Sequence, residues 1–83
     1  MLDRSGPDVK GSNKSLAKFG RNLARVRTQR GMTQEQLAED ANIHSRYLQK
    51  LEAGTGHPSL IVLCRLKQAL RCDWNTLLEK IEG

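Results

Sequence analysis

At 83 residues and 9.3 kDa, the chain has room for one small domain, because domains run to roughly 50–250 residues and a chain this short buries only about 60% of its unfolded surface. A deep catalytic pocket is not expected, and no nucleophile-elbow, phosphate-loop or paired-carboxylate motif is present, so the chain is not read as an enzyme. Fourteen Lys and Arg against nine Asp and Glu leave a net charge of +5, which favours an anionic partner without choosing between nucleic acid and an acidic membrane.

No apolar run is long enough to span a bilayer, and the opening MLDRSGPDVKGSNKS lacks the apolar core of a signal peptide. The expectation is a soluble, cytoplasmic protein. Cys64 and Cys72 fall inside a helical pattern without the spacing of a disulfide framework, which suits a reducing compartment, and both are read as helix-packing residues. Together with His44 and His57 they make no metal-ligand spacing, so neither a metal nor a cofactor is expected. With one Phe, one Tyr and one Trp the core must be mostly aliphatic, and no alternating β-branched stretch appears, so the fold class is all-α.

In chain order, residues 1–14 offer almost nothing apolar to bury and read as a flexible N-terminal arm, leaving 15–83 as the folded domain. From Leu16 to Arg30 a helical wheel gathers Leu16, Phe19, Leu23 and Val26 on one face, and Gly31 follows as the terminating residue. Thr33 opens a T-Q-E-Q capping box with Gln36, which predicts a second helix over Gln34–Ala41. Asn42 stands where a tight turn needs a left-handed residue, and Ile43 follows as an apolar plug.

A third helix is predicted over Ser45–Ala53, ended by Gly54. After the loop Thr55-Gly56-His57-Pro58, Ser59 caps a fourth over Leu60–Leu70, and Asp73 caps a fifth bearing Trp74, Leu77, Leu78 and Ile81. Five helices joined by short connections make a compact bundle.

The third helix is the most informative. Its wheel turns Tyr47, Leu48 and Leu51 inward and sets Ser45, Arg46, Gln49 and Lys50 on an outer ridge. An isolated polar ridge is ordinarily a solvated face. Here it follows a short helix and a three-residue turn, with small Ala38 and Ala41 where two helices must approach and Leu37, Ile43, Leu48 and Leu51 between them. That context matches a helix-turn-helix unit over about 33–54, whose second helix enters the major groove. Arg and Lys can donate to guanine, Gln can pair with adenine and Ser can serve either role.

The chain resembles helix-turn-helix regulators of the phage repressor and Cro type, also called the xenobiotic-response-element type. The resemblance rests on Phe19-Gly20-x-x-Leu23, Arg27-x-x-x-Gly31-Met32-Thr33-Gln34-Glu35-Gln36-Leu37-Ala38, Tyr47-Leu48-x-x-Leu51-Glu52-x-Gly54, Pro58-Ser59-Leu60-x-x-Leu63 and Ala69-Leu70. It implies a lambda-repressor-like bundle in which Gln34 grips a DNA phosphate while Ser45, Arg46, Gln49 and Lys50 face bases or flanking phosphates. Thr33 and Gln34 begin a helix whose free N–H groups favour a phosphate, although Glu35 opposes it. Tyr47 either adds a phosphate hydrogen bond through its hydroxyl or belongs to the core.

Arg27 lies on the apolar side of the first helix, and Glu52 is its best partner; in similar proteins the matching pair is largely buried. Three positions depart from the family pattern. Asn42 replaces a commoner glycine, and His44 replaces the usual Ser or Thr cap, leaving it to cap through a ring nitrogen or to touch phosphate when protonated. Lys67, where alanine is usual, is expected to snorkel outward.

The fourth and fifth helices carry more apolar residues than one face needs, which points to a homodimer whose interface draws on Ile61, Val62, Trp74, Leu78 and Ile81. The expected function is a dimeric, sequence-specific double-stranded DNA-binding transcriptional regulator, like stand-alone phage repressors, restriction-modification controllers and some antitoxins. No small-molecule effector is expected, since no second domain is present to hold one. The alternative is an antitoxin-like protein-interaction module that keeps the fold. No helix pairs a basic face with a surplus apolar one in the manner of a membrane-surface helix.

Overall fold

Thr33, Asn42, Gly54, Ser59 and Asp73 divide the chain into helices, and each takes the backbone conformation its side chain favours. The computed structural model describes residues 12–82 and contains α1 (Ser12–Gln29), α2 (Gln34–Ala41), α3 (Ser45–Ala53), α4 (Leu60–Leu70) and α5 (Trp74–Leu77), with no strand among the described residues. Thr33 accepts from the Gln36 N–H at 3.0 Å while Gln36 Oε1 takes the Thr33 N–H at 2.9 Å, completing the capping box. Asn42 sits at φ 58°, ψ 48°, and Ile43 N–H closes the turn on the Ala38 carbonyl at 2.9 Å. Ser59 and Asp73 cap α4 and α5 through Val62 and Thr76 N–H groups at 3.1 and 2.8 Å.

The boundaries of α2, α3 and α4 fall where the caps place them. Two helices differ from expectation. α1 begins at Ser12, so residues 12–14 of the expected arm are helical, while 1–11 lie outside the described residues. α5 ends at Leu77, where Leu78 leaves helical geometry at φ −104°, ψ 23°; Lys80 follows at a left-handed φ of 61°, and the Leu77 and Glu79 carbonyls accept from Asn22 of α1.

Phe19, Leu23 and Val26 of α1, Leu37, Ala38 and Ala41 of α2, Leu48 and Leu51 of α3, Leu66 and Leu70 of α4, and Leu77 of α5 form one buried cluster. α1 and α3 cross in close contact. A Cβ placed on Gly20 would lie 2.5 Å from the carbonyl oxygens of both Leu51 and Glu52, and one on Gly54, at φ 80°, would lie 2.8 Å from Ala17 Cα. Only glycine allows the end of α3 to rest on α1 backbone against backbone.

Side chains bonded to backbone carbonyls hold the other ends. Buried Asn22 donates to the carbonyls of Leu77 and Glu79 at 3.1 and 3.0 Å, and its own oxygen accepts from Arg25 at 3.0 Å. Arg25 also pairs with Glu79 at 3.1 Å. Arg30 donates to the carbonyls of Leu70 and Arg71 at 2.7 and 3.1 Å, satisfying the end of α4 where Arg71 takes a left-handed φ of 54°. Cys64 and Cys72 are free and half-buried, and burial pushes the Cys72 thiol above its ordinary pKa.

Candidate nucleic-acid interface

α3 presents Arg46, Gln49 and Lys50 exposed on its outer side, with Ser45 half-buried at its start. Among the described residues none of these four side chains makes a hydrogen bond or ion pair within the chain, so all four are free for a ligand. Around them lie two open hollows. One of about 430 Å³ is lined by His44, Ser45, Arg46, Tyr47 and Lys50, and another of about 340 Å³ by Arg46, Gln49, Lys50, Ala53 and Thr55. Ala53 and Thr55 thus join the surface, although neither was among the expected site residues. The signal for Ala53 was its wheel position between Gln49 and Arg46, a small side chain in the middle of the ridge.

His44 occupies the N-cap position of α3 but makes no capping hydrogen bond through its ring, which corrects one of its two expected roles. The backbone N–H groups of the first turn therefore have no side-chain partner there. Tyr47 belongs partly to the core, and its hydroxyl donates to the His57 carbonyl at 2.7 Å. A phenol has one proton to give, so this bond fastens the loop after α3 and removes the donor a phosphate would need.

At the start of α2, Gln34 and Glu35 present backbone N–H groups of the first helical turn, the Thr33 N–H being taken by Gln36 Oε1, and the Thr33 side-chain oxygen acts as acceptor while its own hydrogen stays uncommitted. Gln34 is half-buried, and its Nε2 donates to Glu52 Oε1 at 2.9 Å. Glu52 faces Arg27 as well. Arg27 Nε lies 2.6 Å from Oε2 and Nη2 lies 3.1 Å from Oε1, while Nη1 donates to the Met32 carbonyl at 2.8 Å. The Glu52 side chain is 7% exposed and that of Arg27 18%, so this two-pronged pair is shielded from water. The bond from Gln34 to Glu52 was not among the expected contacts, since no wheel position or motif pairs the two.

Arg25, Arg27 and Arg30 are engaged by Glu79, Glu52 and the carbonyls of Leu70 and Arg71. Arg46 and Lys50 stand on the ridge. The apolar residues divide. Val62, Leu78 and Ile81 pack against the core of their own chain, whereas Leu60, Ile61 and Trp74 are 72%, 59% and 37% exposed. Lys67 lies with Nζ 5.5 Å from the Trp74 ring centroid, so it lays its charge over the indole.

A helix-turn-helix family model, HTH_3, matches residues 23–77, the span that runs from α1 through α5. The chain belongs to that family, the phage repressor and Cro type. It is 41% identical over 51 residues to the uncharacterized HTH-type transcriptional regulator y4dJ of Sinorhizobium fredii, a match covering 61% of this chain and 66% of that one, just under two thirds of its length. It is 36% identical over 59 residues to the uncharacterized HTH-type transcriptional regulator YqaF of Bacillus subtilis, covering 71% and 78%.

Among solved structures, the restriction-modification controller protein C.AhdI from Aeromonas hydrophila superposes with a TM-score of 0.74 at 33% identity, covering 77% of this chain and 97% of that one. The wild-type controller protein C.Esp1396I superposes at 0.71 and 24% identity, covering 80% and 87%, and shows the shared fold. This helix-turn-helix chain is thus of the transcriptional-regulator type in family and in fold. Among the described residues no helix is long and apolar enough to cross a membrane, and no three His, Cys, Asp or Glu side chains cluster as metal ligands would.

Proposed function

We propose that this protein binds double-stranded DNA as a cytoplasmic homodimer, with α3 of each copy in the major groove of one half-site of a palindromic operator. The observation that carries the reading is the outer face of α3, where Ser45, Arg46, Gln49 and Lys50 project together with no partner among the described residues. Arg46 and Gln49 are the bidentate base readers, Lys50 and Ser45 contact bases or flanking phosphates, and Gln34 with Thr33 receives a phosphate at the start of α2. His44 stands beside the same hollow as Arg46 and Lys50 and offers a ring N–H to phosphate. The dimer forms through exposed Leu60, Ile61 and Trp74. A two-fold axis would then set two recognition helices about one DNA turn apart.

The likeness to C.AhdI over nearly all of that chain supports a narrower reading, in which the protein controls transcription of a restriction-modification system. Control would come from its concentration and from co-operation between dimers.

Selection of bound sequences from random duplex DNA, followed by titration of the recovered site at two salt concentrations, tests the proposal. A recovered palindrome and a log–log salt slope of about −0.9 per neutralised phosphate are expected. No enriched sequence with flat salt dependence would overturn it, and would turn attention to a protein partner.

A further inference from the structure

We infer that Glu52 is a positioning residue for the DNA backbone contact, because its carboxylate fixes the direction in which the Gln34 amide faces. The inference rests on the proposed phosphate contact of Gln34 and adds what aims it. An amide can present either its oxygen or its NH₂ to a neighbour, and which one is decided by that neighbour. An ionised carboxylate only accepts, and the Glu52 carboxylate is shielded, with Arg27 Nε at 2.6 Å on one oxygen and Arg27 Nη2 and Gln34 Nε2 at 3.1 and 2.9 Å on the other. Turning the Gln34 amide over would set its oxygen against that negative charge. One Nε2 hydrogen is therefore held inward, and the second points away from Glu52.

This second hydrogen joins the donors at the head of α2, namely the first-turn N–H groups and the Thr33 hydroxyl, whose oxygen already accepts from Gln36 at 3.0 Å. A phosphate oxygen would meet these donors there, against the opposing charge of Glu35 in the same turn. With the amide reversed it would meet a carbonyl oxygen. The same carboxylate sits at the last turn of α3, so one group relates the helix that reads bases to the helix that holds the strand. Arg27, bonded to Glu52 and to the Met32 carbonyl, ties both to α1 and to the loop before α2.

The experiment uses the selected operator with each phosphate in turn replaced by a neutral methylphosphonate. For the wild-type protein one replacement per half-site is expected to weaken binding about tenfold, the scale of a hydrogen bond to a charged group. In Gln34→Ala that penalty should fall to the share carried by the first-turn N–H groups and the Thr33 hydroxyl. Glu52→Gln frees the amide to face either way but leaves Arg27 unpaired, so Arg27→Met/Glu52→Gln is the informative variant, compared at a temperature where circular dichroism shows it folded. It too should show a reduced penalty at that phosphate, while the penalties elsewhere and the selected sequence stay the same.

A folded double variant that keeps the full penalty overturns the inference and leaves the DNA-binding reading intact. Failure to select any sequence overturns both. The wild-type protein gives a second test that needs no variant. Slow rotation about the amide C–N bond makes the two Gln34 side-chain protons distinct in its NMR spectrum, and operator DNA should shift the outward one more; equal or absent shifts overturn the inference.

Discussion

Asn22 Nδ2 lies 3.1 Å from the Leu77 carbonyl oxygen, and both residues are fully buried. The amide gives its other hydrogen to the Glu79 carbonyl and takes one from Arg25, so a polar side chain in the middle of α1 is satisfied on every side. Asn22→Ala should lower unfolding stability by about 1–3 kcal/mol, chiefly because the Leu77 carbonyl is left buried without a donor. Urea denaturation measures this; a loss below about 0.5 kcal/mol would show that water replaces the amide.

Arg27 and Glu52 form the other internal polar lock. Removing one partner strands a shielded charge, so Arg27→Met or Glu52→Gln alone should each destabilise by about 3–5 kcal/mol. Replacing both by apolar residues, as in Arg27→Met/Glu52→Leu, removes the stranded charge and should cost less than either single change. Chemical denaturation of the two singles and the double decides it, and additive losses would show no coupling.

Gly20→Ala tests the contact between α1 and α3. In an exposed helix this substitution stabilises by about 1 kcal/mol. Here the added carbon would meet two backbone carbonyl oxygens at 2.5 Å, which cannot rotate away as a side chain could. Overpacking of this kind costs about 1–3 kcal/mol, so the net effect should be a loss of stability. A raised melting temperature would contradict the geometry.

The cap of α5 carries a pH signature. Bonds from Thr76, side chain first and then backbone N–H, hold the Asp73 carboxyl below its ordinary value near 3.8. A carboxyl depressed in the folded state stabilises it above the unfolded value, and that contribution fades as pH falls through the folded one. Trp74, the residue after the cap, should report a change in fluorescence at acid pH. Asp73→Asn, which caps without a charge, should lose the Asp73-dependent part of that transition.

On DNA, Arg46→Ala and Gln49→Ala should each relax preference at particular base pairs, by about 1–3 kcal/mol apiece. Gln34→Ala should weaken all sequences about equally. Repeating the selection with each variant checks both, and an unchanged motif and affinity for Arg46→Ala would remove that residue from the ridge's function.

The parts of the fold legible in the sequence are those that local chemistry determines. Thr33, Asn42, Gly54 and Ser59 each satisfy a helix end by themselves, so the limits of α2, α3 and α4 could be read without knowing what packs on them. The start of α1 could not, because Ser12, Asn13 and Lys14 are as compatible with an arm as with a first turn. Trp74, Leu77, Leu78 and Ile81 keep a helical spacing, yet the chain leaves the helix after Leu77 and docks on α1 through Asn22, a partner no spacing rule supplies.

The outer ridge was legible because four polar side chains share one face of an otherwise apolar-backed helix. The allocation of arginines was not. Arg25 and Arg30 look like surface cations until Glu79 and the carbonyls of Leu70 and Arg71 come within reach of them.

The contacts of Gly20 and Gly54 fix where α3 lies through main-chain atoms, whereas Arg46, Gln49 and Lys50 are bonded to nothing in the described frame. Mutations on the ridge therefore need no compensating change beneath it. On the proposed DNA-binding reading, operator preference can drift one residue at a time while the scaffold stays constant, so descendants of this protein should diverge in the sites they recognise sooner than in the shape that recognises them.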